Sequence, residues 1–198
     1  MPRLASILLL CIPLCAADPH MTTDERTKAV NWLSESRREF LAAIDGVTDV
    51  QWKWKPAPDR WSVGETAEHI VLAEWSQFAN VQKALAAPLN PEWEEKTRNK
   101  TQTLEAVLAP RRGKAQAPEA LVPGGGMTQA AVKERFLKQR EIIEKFARET
   151  EAPLKQHTVD NPFFGPLNAY QWLIYAPLHT MRHDKQIAEV KATVGYPQ

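Results

Sequence analysis

Apolar residues recur at helical spacing in four stretches of the chain, and runs that alternate like strands are scarce. The first stretch spans about Thr22 to Ile44, with Val30, Leu33, Phe40, Leu41 and Ile44 on one face. Thr22 and Glu25 open it as a capping box: the hydroxyl accepts from a free backbone N–H, and the carboxylate reaches back to the cap. Gly46 is a natural stop. The second stretch opens at Ser62, in a capping box with Glu65, and carries Val63, Ala67, Ile70, Val71, Phe78, Val81 and Leu85 before Pro88 closes it. The third begins near Thr128, behind Pro123-Gly124-Gly125-Gly126, and places Val132, Phe136, Ile143 and Phe146 together. The fourth runs from about Asn168 to Val194, with Trp172, Ala176, Ile187, Val190 and Val194 in its stripe and Gly195 after it. Pro177 lies inside this last helix, where it removes one backbone hydrogen bond and favours a kink.

Four amphipathic helices of this length predict an all-α fold, a four-helix bundle. Two connections are long. One, 47–61, contains Trp52, Trp54, Pro56 and Pro58. The other, 88–127, is rich in proline and charge and contains Trp93. A structureless loop of that length is unusual in a compact domain, so a short helix is expected near Glu92–Leu108.

The chain has 198 residues, enough for one sizeable core without covalent staples. Lys plus Arg is 25 and Asp plus Glu is 24, a balance that argues against nucleic acid or an anionic membrane as main partner. The first residues read as a signal peptide over 1–17. Met1-Pro-Arg3 is a short positive start, Leu4 to Cys15 is apolar, and Cys15-Ala16-Ala17 supplies the small residues of a cleavage site before Asp18. Such a run is short for a bilayer span. The expectation is therefore an exported, periplasmic or secreted domain of residues 18–198, with no membrane contact after cleavage. An uncleaved anchor and a lipoprotein are the alternatives, although neither Cys11 nor Cys15 follows a small residue. Both cysteines fall in the leader, so a metal site in the mature protein must come from His, Asp and Glu.

There are five histidines. His179 and His183 stand four apart, so both imidazoles leave one helix face about 5–6 Å apart at Cβ, within reach of one ion. They share the face of Trp172, Ala176, Ile187 and Val190. Spacing alone is a weak motif, and a pair of hydrogen-bonded core histidines is the default reading. His69, beside the apolar stripe of the second helix, needs a partner or a metal if buried.

Two stretches, Trp61-Ser62-Val63-Gly64-Glu65-Thr66-Ala67-Glu68-His69-Ile70 and His179-Thr-Met-Arg-His183-Asp184-Lys185-Gln186-Ile187, resemble the motifs of the DinB-like superfamily. The resemblance covers nearly all of 22–194. It implies an up-down-down-up four-helix bundle and a site for one divalent ion, nickel or zinc, with His69, His179 and His183 as ligands. It also implies a metal-dependent hydrolase or transferase acting on a small molecule, and a possible homodimer. Family transferases use cytoplasmic thiols, which export disfavours.

Three imidazoles would leave a tetrahedral ion one open position for water or substrate. The rival readings are a non-enzymatic metal-binding scaffold, in which the ion pins two helices, and a metal-free bundle with polar core histidines. No catalytic acid or base is assigned. Glu65 is committed to its cap, Glu68 and Asp184 point away from their histidine neighbours, and Glu74 and Gln186 are candidates for outer contacts. Trp61 and Trp172 read as packing residues, and Trp52, Trp54 and Trp93 as a pocket rim.

Overall fold

Four long helices carry the architecture: α1 (Thr23–Ile44), α3 (Val63–Ala86), α6 (Gln129–Glu149) and α7 (Ala169–Lys191). The computed structural model describes residues 17–112 and 115–198, so the signal-peptide reading lies, but for Ala17, outside the described residues. Thr22, Ser62, Thr128 and Asn168 each cap their helix with a side-chain oxygen, as expected for residues whose short polar groups satisfy free N–H donors. Asn168 adds a capping box with Gln171.

Contacts at the helix ends fix the directions. Arg26, at the start of α1, donates to the Ala147 carbonyl at the end of α6 (3.0 Å), so these two run antiparallel. Lys191, at the end of α7, donates to the Ala43 carbonyl near the end of α1, so these two run parallel. The start of α3 lies by the start of α6, where Glu68 holds the Met127 N–H (3.2 Å). The order is therefore up-down-down-up. The core falls into two apolar layers. Phe40, Ile44, Ile70, Val71, Val132, Phe136 and Ile187 pack at one end, and Leu33, Phe78, Val81, Ile143, Leu173 and Leu178 at the other.

The short elements lie in the connections between the long helices. Helix α2 (Asp49–Lys53) opens with its own capping box at Thr48. Helices α4 (Trp93–Thr97) and α5 (Lys100–Val107) stand where a short helix is expected, followed by a 3-10 turn at Glu119–Leu121. A hairpin of β1 (Thr158–Asn161) and β2 (Gly165–Asn168) precedes α7. It was not expected, because four-residue strands carry too few alternations to read. The last helix also stops earlier than expected, and Val194, at 98% exposure, lies outside its stripe.

Candidate metal centre

His69 sits in the second turn of α3, and His179 and His183 on successive turns of α7. These helices pack antiparallel against each other over much of their length, which brings the three rings to one place. Ring centroids are 5.2 Å apart for His69–His179, 4.6 Å for His69–His183 and 4.4 Å for His179–His183. One nitrogen from each ring lies within 4.8 Å of the others. The Nε2 atoms of His179 and His183 are 3.2 Å apart. Two nitrogens at 2.0–2.1 Å on a tetrahedral ion stand about 3.3 Å apart, so the His179–His183 pair has the spacing a divalent cation of zinc's size asks for, with the third donor of His69 beside it. His20 and His157 are elsewhere, the first against Asp18 and the second against the Ala87 carbonyl.

Hydrogen bonds on the outer side set two of the rings. His69 Nδ1 lies 2.7 Å from the Leu121 carbonyl oxygen. A carbonyl only accepts, so Nδ1 carries the proton and Nε2 presents a lone pair. His183 Nδ1 lies 3.0 Å from Gln186 Oε1, an atom that also accepts from Arg111 Nη1 at 3.0 Å. That second donor identifies it as the amide oxygen, and His183 Nε2 is likewise left free. Such outer contacts orient metal-binding imidazoles. Gln186 was foreseen in this role. Leu121 and Arg111 were not, since a backbone carbonyl from a distant turn and a residue in an irregular stretch leave no mark in the sequence. The 88–127 connection thus supplies outer contacts to two of the three rings, Leu121 to His69 directly and Arg111 to His183 through Gln186.

Burial keeps the imidazoles neutral. It pulls His69 below the ordinary histidine range, against the opposing pull of the Leu121 hydrogen bond. Burial also holds His179 and His183 well below that range, helped by the neighbouring histidines. The half-buried Trp61 ring tilts against His69 (4.8 Å) and reaches His183 (6.5 Å). Tyr175 stacks on His179 (5.7 Å). Trp61 therefore lines the centre, a correction to its reading as packing alone. Trp52, 6% exposed, packs in the core with its Nε1 donating to the Met127 carbonyl (3.0 Å), and borders only a small pocket with Lys55, Glu65 and Gly125.

The nearby carboxylates have other work. Glu65 holds the Ser62 N–H (2.8 Å) and Lys55 (3.0 Å). Glu68 accepts from the Gly124 and Met127 N–H groups (3.0 and 3.2 Å) and docks that loop beside His69. Glu74, a candidate outer contact, is instead paired with Arg140 inside the bundle. Asp184 is half-buried, but both its carboxylate oxygens are shielded and lack a partner, and burial pushes its carboxyl up to about 8. Among the described residues no carboxylate joins the three histidines as a ligand.

A four-helix bundle in which three neutral imidazoles converge defines a bundle with a candidate metal site. The chain belongs to the DinB superfamily, whose sequence pattern matches residues 33–187. YuaE, an uncharacterised protein of Bacillus subtilis (strain 168), is 26% identical over 166 residues, 81% of this chain and 96% of its own. The solved structure of YfiT from Bacillus subtilis matches with a TM-score of 0.53 at 14% identity, covering 89% of this chain and 91% of that one. YfiT is described as a probable metal-dependent hydrolase with an unusual four-helix bundle topology.

Proposed function

We propose that the chain is a metalloenzyme that binds one divalent ion, zinc or nickel, through His69, His179 and His183 and catalyses hydrolysis or group transfer on a small molecule. The convergence of the three rings, with the outer nitrogens of two already committed, carries this reading. The description of YfiT supports it. A divalent ion held by neutral ligands keeps its charge, polarises a substrate oxygen and brings the pKa of bound water towards about 7. The chain's own residues supply the rest. Leu121 and Gln186 hold lone pairs inward, and the Trp61 and Tyr175 rings flank the centre on two sides.

A second reading, an ion that only ties α3 to α7, rests on all three ligands coming from these two helices. Metal analysis of the chain purified without an affinity tag, beside His179→Ala/His183→Ala, tests both. About one ion per chain in the first and little in the second supports a site. Turnover of ester, amide or phosphoester substrates that chelation abolishes then distinguishes enzyme from scaffold. No metal in either protein after incubation with zinc, nickel and manganese sinks both readings.

A further inference from the structure

We propose that Arg140 is a positioning residue for the histidine centre, a buried guanidinium that holds α3 and α7 in the register at which His69 meets His179 and His183. The inference rests on the metal-binding reading above. Arg140 is fully buried, between the two apolar layers of the core. All five of its N–H groups are used, and its partners come from the other three long helices. Nε donates to Glu74 Oε1 on α3 (2.8 Å). Nη2 donates to the same oxygen and to the Thr180 hydroxyl on α7 (3.3 Å). Nη1 donates to the Leu33 carbonyl and to the Ser36 hydroxyl (2.8 Å) on α1. Thr180 Oγ1 stands 3.0 Å from Glu74 Oε1, which joins α3 to α7 directly.

Stability alone does not account for this arrangement. Removing an ion pair from water is expensive, and apolar side chains of equal volume often fill such a space at no loss. What a guanidinium fork adds is one permitted geometry, where apolar surfaces tolerate sliding. Register fixed by a buried polar group is the best-attested use of such groups. Here register decides the centre. Glu74 follows His69 by five residues, and Thr180 is next to His179. A slip of one residue between α3 and α7 moves the ligands by about 1.5 Å, whereas metal–ligand distances hold to about 0.2 Å. No hydrogen bond joins the Arg140 group to the histidines among the described residues, so its influence passes through the helices.

The test compares wild type with Arg140→Leu/Glu74→Leu, which removes both charges together and strands neither. Zinc affinity is read by competition with a chromophoric chelator, metal-free stability by urea unfolding, and ligand geometry by the visible bands of the cobalt-loaded protein. The expected result is a metal-free midpoint at or above wild type, zinc bound about tenfold more weakly and altered cobalt bands, the scale of loss seen when ligand orientation is disturbed. Zinc affinity and cobalt bands equal to wild type overturn the proposal while leaving the metal site standing. A wild type that binds no zinc sinks the metal-binding reading itself, and the positioning role with it. If the double variant does not fold, Thr180→Val decides, because it keeps the ion pair and removes only the tie to α7. Weakened zinc binding in that folded variant supports the role, and unchanged binding overturns it.

Discussion

Glu68→Ala should loosen the loop over the centre and, through it, the histidine beneath. The Glu68 carboxylate accepts from the N–H groups of Gly124 and Met127, and the residue is 8% exposed. A hydrogen bond to a charged group contributes about 1.5–3 kcal/mol, so losing both removes about 3 kcal/mol from docking of this loop. At 1.4 kcal/mol per factor of ten, amide exchange at Gly124 and Met127 should accelerate on the order of 100-fold. The Leu121 carbonyl that holds His69 Nδ1 lies three residues before Gly124. A loosened loop therefore holds that ring poorly, and loss of an outer partner weakens metal binding by about 10–100-fold. Hydrogen exchange read residue by residue, together with zinc titration, measures the two links separately. Glu68→Gln, which keeps one acceptor oxygen, should fall between. Unchanged exchange would refute the docking role. Fast exchange with wild-type zinc affinity would refute the coupling of the loop to His69.

Two further substitutions probe the supports of the site. In Gly64→Ala the new methyl would stand 2.5 Å from Trp52 Nε1 and 2.7 Å from Cδ1, in a ring held by its bond to the Met127 carbonyl. Overpacking of about 1–3 kcal/mol and a hydrogen bond of about 1 kcal/mol outweigh a helix-propensity gain of about 1 kcal/mol. The urea midpoint should fall by the equivalent of about 2 kcal/mol, and an unchanged midpoint would show that the ring can move aside. In Asp184→Asn the pH dependence changes. Burial, then Glu39, pushes the native carboxyl up to about 8, while the unfolded chain releases that proton near pH 4. The folded state therefore binds more protons between these values, and its stability falls as pH rises through them. The variant lacks this slope, so its metal-free unfolding temperature should gain on wild type more at pH 9 than at pH 5. An equal difference at both would mean that Asp184 is ionised in the fold.

What could be read from the sequence was local, and what could not was made by contacts between distant segments. The caps at Thr22, Ser62, Thr128 and Asn168 were legible because each acts within three residues. The His179–His183 pair, four residues apart on one helix, was legible because it too is local. That His69 joins them depends on α3 lying antiparallel to α7, which periodicity alone does not state; the family resemblance supplied it. The burial of Trp52 turns on Gly64, whose missing side chain leaves room for the Trp52 ring. Such a vacancy is visible only once α2 packs on α3. The hairpin escaped because its two strands are four residues each, although Asn161, whose Oδ1 accepts from the Phe163 and Phe164 N–H groups, and Gly165 shape its turn.

The Arg140 group was legible in principle. Val132, Phe136, Ile143 and Ala147 are fully buried along α6, and Arg140 falls among them at helical spacing, four residues after Phe136. Glu74 likewise interrupts the stripe of α3 between Val71 and Phe78. A charge set into an apolar face must find an opposite charge and enough hydrogen-bond partners, or remain outside the core. Two interruptions of opposite sign, each near the middle of its helix, therefore predict one another across the bundle. They locate the level at which α3 meets α6. Thr180, one of the few hydroxyl groups on the buried face of α7, extends that level to the helix that carries the histidine pair. Polar residues that break an amphipathic pattern thus carry the information on register that the apolar residues around them lack.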